Sequence, residues 1–381
     1  MAATEVANPE KSKSAASISL FLMINTFETG GSERQCALLA QNVAPRFDVH
    51  VGCVNPRGPL VDQFEKYDRF PLGGSLYGWQ ALRTRLALGR HLRLNHIQVA
   101  HAFDFYTNLT MIPSARLARV SVVIGSHRQL GDLLTPAQFR AQIAAFRWCD
   151  AVVCNSKAGA DRLALAGVSR QKLVVIGNAM PDAVFAPDTP ALPPNGKLRV
   201  TMIARMNAHY KNHSGFLRIA AEVHKRLPET EFLLVGDGPL RAEVEQQAAS
   251  LGLGERALFL GDRRDIPAIL ASSDISVLTS DSEGLSNVIL ESMAAGVPVV
   301  AYAVGGNPEL VNTERGALIA AGNEGEFANA ICRLLSDRTA RRELGRNARA
   351  FAEESFSLAR VCRQYEDLYV NLLARKGRVS A

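Results

Sequence analysis

The 381-residue chain has no apolar run near the roughly 20 residues that a membrane-spanning helix needs, so it is expected to be soluble or bound at a membrane surface. Its six cysteines, Cys36, Cys53, Cys149, Cys154, Cys332 and Cys362, are scattered through apolar segments and form no CxxC pair. That spacing indicates neither a zinc site nor a disulfide framework, and reduced, buried thiols of a cytosolic chain are expected. Excess charge is also scarce: 43 Lys plus Arg against 37 Asp plus Glu gives +6, too little to imply nucleic acid. No GxGxxG follows the first strand-like segment, which argues against a dinucleotide-dependent oxidoreductase. No residue cluster has metal-ligand spacing, so no bound metal is expected. A secretory leader is disfavoured too. Lys11 and Lys13 precede the apolar run Ala15–Ile24, but the run is short and no small-residue cleavage site follows it.

What the chain does have is apolar material in regular alternation. Hydrophobic residues make up 47% and charged residues 21%, enough to bury sheets under helices, and the length suits two domains better than one. After a polar start to Ala16, expected to be disordered, Ser17–Ile24, Val49–Val54, Ile97–His101, Val120–Gly125, Ala151–Asn155 and Leu173–Ile176 read as strands. Segments of helical period, such as Ser32–Ala44 and Pro136–Cys149, separate them. Phe185–Lys197 then holds Pro187, Pro190, Pro193, Pro194 and Gly196, too many breakers for either element. Alternation resumes with Leu198–Ala204, Glu231–Val235, Leu258–Leu260, Ile275–Thr279 and Val297–Tyr302, and a helical tail runs from Glu324 to about Arg375. The fold class is α/β. Two Rossmann-like domains, residues 17–186 and 198–354, are expected, with a linker at 187–197 and a C-terminal helix at 355–374 packing back on the first. Parallel sheets of this kind bind ligands beyond the carboxyl ends of their strands, here in the cleft between the domains.

The strongest local signal in the second domain runs from Leu278 to Glu291. A strand ends, a polar turn follows, and a helix is expected to open at about Gly284, leaving the N–H groups of Gly284, Leu285 and Ser286 free for an anion. Glu283 precedes that helix and Glu291 lies within it, roughly 12 Å away at helical rise. This is too far for a glycosidase pair flanking one bond. It suits two carboxylates gripping different hydroxyl-bearing parts of one ligand, with a phosphate between them. Singly, either glutamate reads better as an ordinary helix residue, Glu283 serving the dipole and Glu291 exposed to solvent. Arg205 and Lys211 leave the domain's first strand on a loop facing the same cleft, where two cations can neutralise a diphosphate as it departs. A solvated basic loop is the alternative. Gly236-Asp237-Gly238-Pro239-Leu240-Arg241 approaches a dinucleotide-type turn but has Arg241 where the third glycine belongs, with Pro239 suited to a first helical turn.

In the first domain, Gly30-Gly31 lies between the first strand and its helix, where missing side chains permit a ligand to approach the backbone. His101 ends a strand at the carboxyl edge, a position that suits function and packing alike. Arg128 ends the next strand and offers a guanidinium for phosphate or carboxylate, or simply a surface charge. From Leu76 to Arg128, Arg83, Arg85, Arg90, Arg93, Arg116, Arg119 and Arg128 are opposed only by Asp104, which favours an anionic surface or phosphate-bearing ligand. Along Trp79–Leu94, Trp79, Leu82, Leu86 and Leu92 alternate with Arg83, Arg85, Arg90 and Arg93. On a helix this sets an apolar stripe beside a cationic face, the arrangement of a helix lying on an anionic membrane. The alternative is that the leucines cover the sheet and leave the arginines in solvent.

Together these motifs resemble the retaining GT-B glycosyltransferases of family 4 (glycosyl transferases group 1), over nearly the whole chain from Ser17 to Leu373. The most specific part is Ser280–Val300, which matches the family's Glu-x7-Glu element and the Ala-x-Gly-x-Pro-Val-Val segment after it. Further matches are Gly30-Gly31, Asn155-Ser156, Asn178, Arg205 with Lys211-Asn212, Val235–Pro239, and Gly305-Gly306 with Glu309. The resemblance implies that Arg205 and Lys211 hold the diphosphate of a nucleotide sugar, helped by the backbone of Gly284, Leu285 and Ser286. Gly236 falls among the donor-binding positions. Glu291 would bind the ribose hydroxyls, Glu283 the transferred sugar, and Gly31 would approach the donor phosphate or the acceptor. His101 would sit beside the reacting sugar, with Gly30 and Arg128 on the acceptor side. In this family the leaving diphosphate takes the acceptor's proton on the same face, so retention needs no protein nucleophile.

The resemblance further implies no cofactor and no metal, since the nucleotide-diphosphate sugar is a co-substrate. It implies a glycan or lipid-linked acceptor, no nucleic acid, and a cytoplasmic location, peripheral on the inner membrane face if α-helical docking occurs. Two departures fall on the acceptor side: Phe103 stands where many members have a second histidine, and Asn178-Ala179-Met180-Pro181 replaces a commoner Asn-Gly-Val-Asp. The alternatives are a nucleotide-sugar epimerase of the same fold and a non-catalytic sugar-nucleotide-binding subunit. The first needs acid/base groups placed for elimination, and the intact Arg205, Lys211, Glu283 and Glu291 weigh against the second.

Overall fold

A computed structural model describes residues 17–186 and 189–377. The polar start to Ala16 and Pro187 of the breaker-rich stretch lie outside the described residues. The first sheet contains β1 (Ile18–Ile24), β2 (Phe47–Cys53), β3 (Asp68–Arg69), β4 (Val99–Ala102), β5 (Val122–His127), β6 (Ala151–Cys154) and β7 (Leu173–Val175). Its helices are α1 (Gly31–Asn42), α2 (Trp79–Leu94), α3 (Phe105–Leu117), α4 (Pro136–Phe146) and α5 (Lys157–Leu165). The second sheet contains β8 (Arg199–Ile203), β9 (Glu231–Val235), β10 (Ala257–Gly261), β11 (Ile275–Leu278), β12 (Val299–Tyr302) and β13 (Gly316–Ile319). Around it lie α6 (His213–Arg226), α7 (Arg241–Ser250), α8 (Ile266–Ala271), α9 (Asn287–Ala294), α10 (Asn307–Leu310), α11 (Glu324–Ser336) and α12 (Arg338–Phe356). A last helix, α13 (Leu358–Arg375), closes the described chain.

Strand pairing is parallel in both sheets, in the orders β3-β2-β1-β4-β5-β6-β7 and β10-β9-β8-β11-β12-β13. Strands covered on both faces read as continuous apolar runs, and β1 shows why. Ile18, Leu20, Leu22 and Ile24 enter the core shared with α1, while Phe21 and Met23 enter the core shared with α2 and α3. The direction of strand order reverses between β1 and β4 and again between β8 and β11. Connections diverge to opposite faces there, leaving a crevice at the carboxyl edge.

α12 ends beside Met180, whose N–H donates to the Phe356 carbonyl (2.8 Å) and whose carbonyl accepts from Leu358 (3.0 Å). From that crossing α13 lies on the first sheet, and Val361, Cys362, Tyr365, Tyr369, Leu372 and Leu373 join its core. A fully buried large apolar side chain contributes about 1.5–3 kcal/mol. As a group they rival the roughly 5–15 kcal/mol net stability of a domain, so α13 is integral to the first half.

On the same half, α2 meets the sheet through Ala81, Thr84, Leu88 and Leu92, while Trp79 (66%), Leu82 and Leu86 (61%) stay exposed. Two residues of the expected membrane-facing set are therefore corrected. Leu92 is core, and Arg85 folds down to donate to the Leu76 (2.9 Å) and Leu109 (3.3 Å) carbonyls. Arg83, Arg90 and Arg93 remain outside, with the Arg83 guanidinium 5.2 Å from the Trp79 ring.

Candidate active site

At the carboxyl edge of the second sheet, the loop after β8 carries Arg205 and, in a short 3-10 turn, Lys211. The loop after β11 carries Glu283, and the Lys211 ammonium donates to its Oε1 at 2.7 Å. That pairing holds an ammonium in a largely desolvated place where an unpaired one would be costly. Arg205 reaches into the first half to bond the Thr29 hydroxyl. Glu291, on α9, is buried and accepts from the Arg34 guanidinium of α1 at 3.0 Å, so it is not a solvated helix residue. Burial raises its pKa, and the Arg34 charge opposes that rise.

Several local expectations are corrected here. α9 opens at Asn287, later than expected, because Ser286 serves as its N-cap and accepts from the Ile289 N–H at 3.3 Å. Gly284 and Leu285 therefore precede the cap, and their N–H groups are not helix-terminal. Glu283 is off the helix, so the helical-rise separation from Glu291 does not apply. What Gly284 permits is close approach of the two halves: a Cβ there would overlap the Arg128 carbonyl. Gly236 also serves packing. Its φ of +133° and its contact with the Ala204 carbonyl leave no room for a side chain where β9 exits against the Arg205 loop. α7 starts at Arg241, so Pro239 lies ahead of it.

In the first half, Gly30 caps α1 and Gly31 opens it. A Cβ on Gly31 would come within 3.2 Å of the Asn287 amide, so this turn faces α9 directly. Arg128 is not a free surface charge: it donates to Asn178 Oδ1 at 2.5 Å and to the Tyr365 hydroxyl at 3.3 Å. His101 does not reach the cleft. Its ring is fully buried, Nδ1 shares a 2.8 Å hydrogen bond with the Tyr369 hydroxyl, and Nε2 shares one of 2.8 Å with Ser126 Oγ. Burial, with Arg128 adding to it, pushes the imidazole down to about 3, so the ring is neutral. Phe103, two residues on, lines a cavity formed by first-half residues at the carboxyl edge of the first sheet.

Other matched positions join the halves. Asn178 donates to the Leu285 carbonyl (3.1 Å) and to Asn287 Oδ1 (2.6 Å). Glu309 accepts from the Lys157 and Ala158 N–H groups at 2.8 and 2.9 Å, capping α5 from the opposite half. Thr29 and Arg34, which hold Arg205 and Glu291, carry no signal in the local pattern.

Residues 197–337 match the family described as glycosyl transferases group 1, and residues 29–183 match glycosyltransferase family 4. The chain belongs to the group 1 glycosyltransferases. Among relatives, the N-acetyl-alpha-D-glucosaminyl L-malate synthase of Bacillus anthracis is 36% identical over 159 residues, 42% of this chain but only 40% of that enzyme. The UDP-Gal:alpha-D-GlcNAc-diphosphoundecaprenol alpha-1,3-galactosyltransferase of Escherichia coli is 26% identical over 356 residues, 87% of this chain and 91% of its own. Among solved structures, Anabaena HepE in complex with UDP matches with a TM-score of 0.80 at 23% identity, covering 92% of this chain and 99% of that one. That likeness shows the GT-B fold. This glycosyltransferase thus has two Rossmann-like parallel sheets, with Lys211 bonded to Glu283 in the second half and Arg205–Thr29 and Arg34–Glu291 contacts joining the halves.

Proposed function

We propose that this glycosyltransferase is retaining and metal-independent, moving a hexosyl group from a UDP- or GDP-sugar to a glycan or lipid-linked acceptor in polysaccharide biosynthesis. The observation that carries this reading is two charge pairs on the segments that follow the switch-point strands, Lys211 with Glu283 and Arg34 with Glu291, which a donor can replace with its own groups. The UDP named with HepE and the UDP-galactose and lipid diphosphate named for the Escherichia coli relative support a nucleotide-sugar donor and a lipid-linked acceptor. Arg205 and Lys211 grip the diphosphate, and the dipole at the start of α9 assists. Glu291 takes the ribose hydroxyls in exchange for Arg34, and Glu283 takes hydroxyls of the transferred sugar. Gly31 lets a phosphate or the acceptor lie against α1, while Gly30 and Arg128 stand on the acceptor side. His101 acts behind this surface as a positioning residue, holding Ser126 and Tyr369.

As the bond from the anomeric carbon to the diphosphate oxygen breaks, the two cations stabilise the charge gained by the leaving group. The acceptor oxygen bonds to the anomeric carbon on the same face, and its proton passes to the departing diphosphate. Because side chains supply the positive charge, activity is expected to survive exhaustive EDTA dialysis. Loss that magnesium or manganese restores would contradict this. The outer face of α2 supports docking on an anionic bilayer, which would deliver a lipid-linked acceptor to the cleft. The donor reading is tested by a panel of UDP- and GDP-sugars, scored for binding and slow hydrolysis by the full chain. At least one is expected to bind and release its nucleotide; no binding by any member contradicts it.

A further inference from the structure

Glu309 joins the halves by placing its carboxylate on the first amides of a helix in the opposite half. It stands on α10, a short helix at the carboxyl edge of the second sheet. Asn307 and Leu310 beside it are fully buried, and the Asn307 amide donates to the Tyr302 carbonyl at the end of β12 (3.0 Å), so the mount is rigid. Across the join α5 is equally fixed, with Ala160 and Leu163 in the core of the first half. The first amides of a helix have no partner within it. Here Ser156 takes that of Gly159 (3.1 Å), while Glu309 takes those of Lys157 (2.8 Å) and Ala158 (2.9 Å) with one oxygen each. A carboxylate held this way gains from charge-assisted bonds and from the helix dipole. Glu309 is only half-buried, so water can take its place and the contact can open.

The turn before α10 links this contact to Glu283. The Gly306 N–H donates to the Gly284 carbonyl (2.9 Å), and a Cβ on Gly305, whose φ is +52°, would overlap the Glu283 carbonyl. On its other side the same turn meets the first half. A Cβ on Gly306 would lie 2.9 Å from Ser156 Cβ, and one on Gly305 would lie 3.3 Å from Leu130 Cδ1. Gly305 and Gly306 are thus held between the residue that caps α5 and the backbone that carries Glu283. Seating Glu309 on α5 closes that stack; releasing it frees the turn on which the Glu283 backbone rests.

We propose that Glu309 is a latch between the halves and that, seated on α5, it positions Glu283 for turnover. The inference rests on the glycosyl-transfer reading and supplies a positioning residue for it. Two variants break the latch from opposite sides. Glu309→Ala removes the carboxylate. Lys157→Pro removes one of its donors and sets a ring carbon against it, yet spares α5. Ser156 already has the extended backbone that a residue before proline needs (φ −142°, ψ 155°), and proline suits the first helical position. Lys157→Ala keeps the amide and serves as the control. Each variant of the full chain, checked for folding by thermal melting, is read in three ways. These are nucleotide release from the donor that the sugar-nucleotide panel selects, calorimetric affinity for UDP and GDP, and radius of gyration by small-angle X-ray scattering. Glu309→Ala and Lys157→Pro are each expected to lower kcat by about tenfold or more, to change nucleotide affinity by less than about threefold, and to raise the radius of gyration. Glu309→Gln, which keeps one accepting oxygen, is expected to fall between Glu309→Ala and wild type, and Lys157→Ala to match wild type. Undiminished turnover in Glu309→Ala or Lys157→Pro, an unchanged radius of gyration in both, nucleotide affinity that falls in step with turnover, or equal losses in Lys157→Ala and Lys157→Pro overturns the inference. If the wild type releases nucleotide from no donor, the transferase reading fails, and the scattering decides the latch by itself.

Discussion

His101 is enclosed by Ser126, Tyr365, Tyr369 and the Arg128 guanidinium, so a proton on its ring has no water to meet. Its pKa of about 3 in the fold compares with about 6.5 in an unfolded chain. Between those values the unfolded state binds a proton that the native state does not. Stability from this residue is therefore complete above about pH 6.5 and falls by about 1.4 kcal/mol per pH unit below it. His127, at about 4, acts with the same sign. Asp104, which burial raises to about 6, acts oppositely, because the native carboxyl keeps a proton that the unfolded one releases. His101→Asn removes only the first contribution. Urea unfolding at pH 7, 6 and 5 is expected to show a less stable variant whose pH slope is shallower by about 1.4 kcal/mol per unit. Equal slopes would show that the ring is not buried neutral. The position of His101 on a strand was legible, but its direction was not. Side chains alternate along β4, and the cover over this one comes from α13, 268 positions away. Arg205, Lys211 and Glu283 stood out because a charged turn after an apolar strand is a local pattern. Their neighbours Thr29 and Arg34 did not, since those contacts join residues 176 and 257 positions apart.

Between elements, α1 and α9 approach closely enough that Gly31 nearly touches Asn287 and Arg34 holds Glu291. If Glu291 exchanges this guanidinium for ribose hydroxyls, Arg34 competes with the donor. The pair is half-exposed on the arginine side, so its worth is about 1 kcal/mol at most. Arg34→Ala is accordingly expected to bind UDP up to about fivefold more tightly by calorimetry. Weaker binding would instead make Arg34 a donor contact. The alternation of strands and helices was legible because doubly covered strands must be apolar throughout. β3 was not, being two residues at a sheet edge, and β13 was hidden by its short apolar content after a charged turn. The late start of α9 was missed because Gly284 and Ser286 are both acceptable helix caps, and the contact of Gly284 with Arg128, which settles the matter, is non-local.

Over the whole molecule, the large apolar side chains most exposed among the described residues all lie between Tyr77 and Val175, in the first half. The arginines of the outer face of α2 lie among them, so an anionic bilayer fits that surface in both chemistry and charge. Arg83, Arg90 and Arg93 near such a surface contribute about 1 kcal/mol each, more than a hundredfold in partition together. Co-sedimentation with phosphatidylglycerol vesicles at low salt is expected, with loss at high salt or when these three become glutamine. No binding, or binding that the substitutions leave unchanged, rules out this docking face. The reaction proposed for the cleft turns on the grip of Arg205 and Lys211 on a departing diphosphate. Turnover at saturating donor measures that grip in Arg205→Ala and Lys211→Ala, each shown to be folded by circular dichroism. Loss of about 2–4 kcal/mol of transition-state stabilisation, roughly 30- to 900-fold in rate, is expected for each; turnover within a few-fold of wild type in either variant would contradict it.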